Sequence, residues 1–364
     1  MEKICVIGGG NIGTYCAVTA KRKGYAVSFI VSDPSRFSSK LSVMENDSEI
    51  LYSEQIDVIT SDFAFAMESV DVVFITYPSF LFEELNKKLL PFIKPGVKLF
   101  FLPGTGGCEF QFSECIFKGA QLFGLQRVPG VFRLEEYGRK VKLSGKRDKL
   151  FIGSLNAKDE EILSFNRFVI DFFEIPCEVL PNYLCITLTP SNPILHTTRL
   201  YSMFKDYSEG EFYDRNMLFY EEWTLESSKF LIECDAELQK LCREIEKYGL
   251  DLKTVRSLKE HYAVRDEISM TSKIRSISSF KGLTSPMKQT ENGWIPDFSS
   301  RYFSADFPYG LKIILDIAKC FSVPAKKIEI IWNWYVSQNL PNNECFELNM
   351  SKEEFLRKYL FIRS

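Results

Sequence analysis

Apolar and polar positions follow two different patterns along the chain. In the first half, short, mostly apolar runs bounded by glycine or proline recur at Ile4–Ile7, Ala26–Val31, Val70–Pro78 and Val97–Gly104. Runs of this length and character suit strands buried on both faces of a parallel sheet. Between the first two, Ile12–Lys21 carries small and apolar residues at helical spacing, and Gly24 ends the helix. Between the last two, FLFEELNKKLLPFI reads as a second helix. Such alternation specifies an α/β fold with right-handed crossovers. KVKLSG and KLFIGS add two shorter strand-like pieces near residues 140–154.

The pattern changes near residue 182. After PNYLCITLTPSNP, a junction rich in Pro, Thr, Ser and Asn, helix-period segments are predicted over Phe219–Tyr248, Leu250–Ala263, Leu311–Phe321 and Ile328–Val336. Asp251 and Ser351 are expected N-caps. Strand signals nearly vanish. The expectation is a Rossmann-type α/β parallel-sheet domain over residues 1–182, followed by an all-α C-terminal domain over 183–364.

Composition sharpens this reading. At 364 residues the chain suits two domains. Its 32 Phe and 16 Tyr could fill large cores or line an aromatic cleft. A net charge of −3 argues against the basic face that nucleic acid requires. No apolar run approaches the ~20 residues that span a bilayer, and MEKICVIGGG lacks the apolar stretch of a signal peptide. Ten cysteines without a CxxC pair read as reduced thiols of a cytoplasmic protein. Cys5 and Cys16 are expected to pack as small apolar residues. No metal-ligand spacing is present. Nothing in the sequence decides the oligomeric state; a homodimer through the helical half is one arrangement.

Two stretches carry chemistry. Gly8, Gly10 and Gly13 form a GxGxxG turn, with Asn11 and Ile12 opening the following helix. Gly8 permits the tight turn, Gly10 lets backbone approach a pyrophosphate, and Gly13 lets helix and strand pack closely. The helix N-terminus offers free N–H groups to the phosphates. A strand before and a helix and strand after make this a dinucleotide site. At the end of the second strand, Val31 and Ser32 are not acidic, and Asp33 falls late. Ser32, Ser35, Arg36 and Lys40 are placed to meet a 2′-phosphate, which favours NADP(H) over NAD(H). The competing reading makes Asp33 a helix cap before Pro34 and Arg36 a solvated residue. Thr76, Tyr77 and Pro78, with Gly104–Gly107, either line the nicotinamide side or are simply turns.

The second stretch concerns the two histidines, His196 and His261. His196 sits at the junction, where ligand clefts are common, and histidine is the usual general acid/base near neutral pH. His261, amid charges, reads as an exposed or half-packed helical residue. SRYFSADFPYGL (300–311) sets Arg301 and Asp306 among aromatic residues. Isolated charges are costly to bury, so the two either satisfy each other or face a ligand.

The glycine-rich turn, the N-P-x-x-H run ending at His196, and RYFSADFPYGL together resemble the opine dehydrogenase family, which includes octopine and nopaline dehydrogenases. The likeness extends along the whole chain and is most specific from Gly282 to Ile331. It implies reductive condensation of a pyruvate-like α-keto acid with the amino group of an amino acid, or the reverse oxidation. It also implies that His196 and Asp306 form the catalytic pair, and that Arg301, with Asn192, holds the substrate. Thr197 departs from the pattern, since many relatives would carry proline there. Two alternatives stand beside this reading. One is a 2-keto or 3-hydroxy acid reductase of the ketopantoate or glycerol-3-phosphate type, which would rely on a lysine on a second-domain helix; no lysine stands out. The other is a non-catalytic NADP(H) sensor, which would not need the His–Asp–Arg set.

Overall fold

A computed structural model describes residues 3–45, 49–338, 340 and 345–360. The chain forms two compact units, Met1–Thr187 with Arg357–Ser364, and Leu188–Leu356. Strands of the first unit are β1 (Lys3–Ile7), β2 (Ala26–Ile30), β3 (Lys40–Glu45), β4 (Glu49–Gln55), β5 (Val58–Thr60), β6 (Val72–Ile75), β7 (Lys98–Phe101), β8 (Gln121–Leu125), β9 (Gly130–Glu136), β10 (Lys140–Lys146), β11 (Leu150–Ser154) and β12 (Cys177–Val179). The main sheet runs β12-β11-β8-β7-β6-β1-β2-β5. It is parallel except where β11 meets β8.

The apolar runs that marked β1, β6 and β7 are buried almost throughout. On one face the helix Asp159–Phe173 turns Phe165, Phe168 and Phe172 onto the sheet. Phe165 meets Phe100 edge-on at 5.1 Å, and Phe172 meets Phe74 at 5.0 Å. Each buried ring contributes roughly 2–3 kcal/mol. Much of the aromatic content of this unit therefore fills core. Cys5 and Cys16 are fully buried, and none of the ten cysteines forms a disulfide.

A second sheet, β4-β3-β10-β9, was not anticipated for residues 40–55. Its strands β3 and β4 read KLSVME and EILYSEQ, polar and apolar by turns, and among the described side chains of β3 only Leu41 and Val43 are fully buried. Residues 357–360 also join the first unit, whereas the sequence reading set them in the helical half. Tyr359 donates to the buried Glu109 at 3.0 Å, and the Thr187 hydroxyl donates to the same oxygen. Burial raises the Glu109 carboxyl above its ordinary value, opposed by these donors.

The second unit is largely helical, led by Asn192–Phe204, Leu225–Glu246, Glu267–Ser276, Lys312–Cys320 and Lys326–Ser337. It also holds one hairpin, β13 (Met287–Thr290) with β14 (Gly293–Pro296), a departure from the all-α expectation. The helix expected from Phe219 starts only at Leu225, where the Thr224 hydroxyl accepts the Ser227 N–H at 3.0 Å. Between Leu250 and Ala263 only Leu258–Tyr262 is helical, capped by Ser257 and Glu260. Asp251 accepts the Lys253 N–H at 3.0 Å and closes a turn instead of starting a helix. Ser351 does cap the helix that follows it, accepting the Glu354 N–H at 3.2 Å. His261 is exposed on its short helix, and Phe204 and Trp223 are core.

Asp235 on the long helix Leu225–Glu246 accepts the Leu258 N–H at 2.8 Å while nearly fully buried. Burial pushes its carboxyl up to about 6, with the Leu258 N–H opposing. A raised folded-state value means that stability is greatest below the ordinary aspartate range and falls as pH rises through about 6. Asp235→Asn keeps an acceptor and removes the charge. Urea unfolding from pH 4 to 8 should show a wild-type loss of roughly 2–3 kcal/mol that is absent in the variant. Parallel pH profiles would exclude this role.

Candidate active site

The glycine turn lies at the carboxyl end of β1. Gly8 has φ +117°, and a Cβ there would stand 2.5 Å from Thr76 Oγ1. A Cβ on Gly13 would stand 1.7 Å from the Gly8 carbonyl oxygen. Gly10 has open space where its Cβ would be, and it caps the helix Asn11–Arg22 without a side-chain hydrogen bond. Open space over an uncapped helix N-terminus fits the pyrophosphate of a dinucleotide. The Asn11 amide is turned to the Phe132 carbonyl at 2.9 Å, and Ile12 packs on the core. The Thr76 hydroxyl donates to the Ile7 carbonyl at 2.9 Å, joining β6 to the turn. Pro78 opens the short turn Ser79–Leu81. A Cβ on Gly106 would lie 2.6 Å from Ser79 Cβ, so the 104–107 loop packs beside it. These loops gather at the carboxyl ends of β1, β6 and β7, where ligands of such sheets bind.

At the end of β2, Ser32 and Arg36 are exposed. Asp33 caps the following turn, accepting from the Ser35 N–H at 3.1 Å and the Ser35 hydroxyl at 2.6 Å. The capping expectation for Asp33 therefore holds.

In the second unit, His196 and Asp306 meet across 110 residues. His196 lies on the helix Asn192–Phe204, which Pro193 starts. Asp306 lies just before a wide turn, Phe307–Leu311. Pro308 has no N–H to continue an ordinary helix, and the Leu311 N–H reaches back to the Asp306 carbonyl at 2.8 Å. Such π-type turns often mark functional sites. Gly310 packs on Pro193, where a Cβ would come within 3.0 Å of the ring. This close approach sets the turn against the histidine helix.

His196 Nδ1 is 2.8 Å from Asp306 Oδ2, and Nε2 is 2.9 Å from the Tyr220 hydroxyl. A carboxylate only accepts, so Nδ1 carries the proton, and in the neutral imidazole Nε2 then accepts from Tyr220. The ring is packed by Tyr302 at 4.7 Å and Phe219 at 5.5 Å. Tyr220 stacks on Phe280 at 4.0 Å, and burial holds its phenol well above the usual range. Arg199, one turn along from His196, is buried and clamps the 219–222 loop by bonds to the Phe219 and Glu222 carbonyls, each 2.9 Å. Burial lowers its guanidinium to about 10. The Thr197 hydroxyl donates to the Pro193 carbonyl at 2.6 Å, within the helix.

Arg301 and Asp306 do not pair. Arg301 is exposed on the short helix Arg301–Ser304 and makes no ion pair among the described residues; Asn192 is exposed as well. Sequence reading missed Tyr220 and Arg199, because FYEEW was read as helix interior. It also overlooked Lys312, which is buried on the helix Lys312–Cys320. Lys312 pairs with Asp316 at 2.5 Å, and Asp316 also accepts the Leu348 N–H at 3.2 Å. Among the described residues no His, Cys, Asp or Glu group could hold a metal ion, and no helix is long and apolar enough to cross a membrane.

A parallel sheet with a dinucleotide turn, and a helical unit with a partly buried His–Asp pair, define a two-domain nicotinamide-dependent dehydrogenase. Residues 179–338 match the family described as NAD/NADP octopine/nopaline dehydrogenase, alpha-helical domain, and residues 4–156 match ketopantoate reductase PanE/ApbA. The helical half of the chain is thus similar to the opine dehydrogenase family. It is 25% identical to the octopine dehydrogenase of Mizuhopecten yessoensis over 355 residues, 91% of this chain and 88% of that protein. The solved octopine dehydrogenase with NADH and L-arginine has a TM-score of 0.81 at 23% identity, covering 100% of this chain and 96% of that one. NADP+-bound yersinopine dehydrogenase has a TM-score of 0.70 at 10% identity, covering 95% and 94%.

Proposed function

We propose that this chain is an NAD(P)H-dependent opine dehydrogenase, joining an α-keto acid to the amino group of an amino acid through an imine, or running the reverse oxidation. The observation that carries the reading is the His196–Asp306 pair at 2.8 Å within the segment that matches the opine dehydrogenase helical domain. When bound, the nicotinamide supplies the hydride that reduces the imine. His196 gives a proton to the departing hydroxyl of the carbinolamine and takes one from the attacking ammonium. Asp306 fixes the Nδ1–H tautomer and supports the imidazolium that forms. Arg301, exposed and without an ion pair among the described residues, holds a substrate carboxylate, and Asn192 assists it. The cofactor turn lies in the first unit and the proton-transfer group in the second.

Within this reading we assign NADP(H) as the preferred cofactor. The Asp33 oxygen that would compete for a ribose hydroxyl is engaged by Ser35, and Ser32 and Arg36 face outward. The solved relatives hold NADH in one case and NADP+ in another, so this choice rests on the chain's own residues. We place the enzyme in the cytoplasm, on the strength of ten cysteines that form no disulfide.

NADPH oxidation with pyruvate, with and without a pool of amino acids, tests the reaction. Turnover is expected only when both are present. Oxidation with pyruvate alone would favour a 2-keto acid reductase, the class suggested by the match over residues 4–156. Lys312 gives that alternative little support, because Asp316 holds it one turn away on the same helix.

A further inference from the structure

The β9–β10 hairpin ends at Tyr137 and Gly138, against the loop that follows β2. Gly138 has φ +73°, and a Cβ on it would stand 2.1 Å from the Arg36 carbonyl oxygen. Its own carbonyl accepts the Ser38 N–H at 2.9 Å. The hairpin tip is therefore tied to the Arg36 loop by backbone. Beneath it runs a chain of aromatic contacts. Tyr137 meets Phe37 edge-on at 5.2 Å, and Phe37 meets Phe29 of β2 at 5.6 Å. Phe37 also closes on the glycine turn, since a Cβ on Gly9 would lie 2.5 Å from its ring. The Arg36 guanidinium lies 4.4 Å from the Tyr137 ring centroid. Arg36 has no ion pair among the described residues. Its neighbours Arg139 and Lys140 are both engaged by Glu136, at 3.3 and 3.5 Å.

We infer that Tyr137 is a cofactor-specificity residue, its ring holding the Arg36 guanidinium ready for the 2′-phosphate of NADP(H). The inference rests on the NADP(H) reading above. An arginine chain free in water must give up rotamer freedom to bind a phosphate. Stacked on an aromatic face, it is partly ordered beforehand. The hairpin belongs to the small second sheet, so that sheet acquires a role as the carrier of the platform. Tyr137 touches no reacting atom; it is a positioning residue that acts through Arg36.

The test is calorimetric titration of the full chain with NADPH and with NADH, for wild type, Tyr137→Leu, Tyr137→Phe and Arg36→Leu, with thermal midpoints recorded alongside. Wild type is expected to bind NADPH more tightly. Arg36→Leu should erase most of that preference, and Tyr137→Leu should reduce it about 3- to 10-fold, the scale of a cation–π contact. Tyr137→Phe keeps the ring and should keep the preference, which a merely structural disturbance would not reproduce. If wild type prefers NADPH and Arg36→Leu loses that preference while Tyr137→Leu does not, the role of Tyr137 is overturned and the NADP(H) reading survives. If wild type binds NADH as tightly as NADPH, the cofactor reading is overturned and the role of Tyr137 with it.

Discussion

Replacing His196 with alanine is expected to leave NADPH binding in place and to lower turnover by at least ~100-fold, the usual scale of general acid–base help. The dinucleotide turn belongs to the first unit and His196 to the second, so binding and turnover should separate. The variant also strands two partners. Asp306 and the Tyr220 hydroxyl each lose the imidazole nitrogen that now faces them at 2.8 and 2.9 Å. An unpaired buried polar group costs about 1–3 kcal/mol, so the thermal midpoint should fall too. Asp306→Asn isolates the chemistry more cleanly. It keeps a hydrogen-bond partner for Nδ1 and removes the charge that supports an imidazolium. Its turnover should also drop, with less loss of stability. Stopped-flow and steady-state rates of NADPH oxidation, beside a binding titration, decide the matter. Full turnover in His196→Ala would remove this histidine from the mechanism.

The second large effect is expected at Gly13. An added Cβ would sit 1.7 Å from the Gly8 carbonyl oxygen and 2.8 Å from Thr76 Oγ1. Neither the backbone of the glycine turn nor a hydroxyl already bonded to the Ile7 carbonyl can yield by that much. The helix Asn11–Arg22 must withdraw from the sheet and carry its N–H groups away from the phosphates. Overpacking of this kind costs about 1–3 kcal/mol, so Gly13→Ala should weaken NADPH binding roughly 10- to 100-fold and lower the thermal midpoint. Gly10→Ala is the informative contrast. Its Cβ would meet nothing within 4 Å, so the fold should keep its midpoint while binding still falls, because the methyl enters space the pyrophosphate needs. Equal midpoints for both variants would contradict the different tasks assigned to the two glycines.

What could be read in advance follows from the range of the forces involved. The glycine turn is specified by six consecutive residues, and each glycine answers a local steric demand, so spacing alone identified it. The Asp33 cap is equally local. The His196–Asp306 contact spans 110 residues, and only the resemblance joined its ends. Tyr220 stayed hidden because FYEEW has helical periodicity; its hydroxyl is aimed by Arg199 and by the cap at Thr224, which stops the helix from reaching back over it. The strands β3 and β4 were missed because their alternating residues bury little. Lys312 was missed because its partner one helical turn away makes KIILD look like an ordinary surface charge pattern, although its face is covered.

The shared acceptor Glu109 has a consequence for the order of synthesis. Thr187 and Tyr359 both donate to it, yet the ribosome delivers them with the whole helical unit in between. The nascent sheet thus emerges holding a carboxyl group with only one of its two donors, and the second arrives once nearly everything else has been translated. A fragment stopped after Thr187 would be expected to leave that carboxyl reaching for water, and a separately supplied peptide bearing Tyr359 would have a ready place to dock.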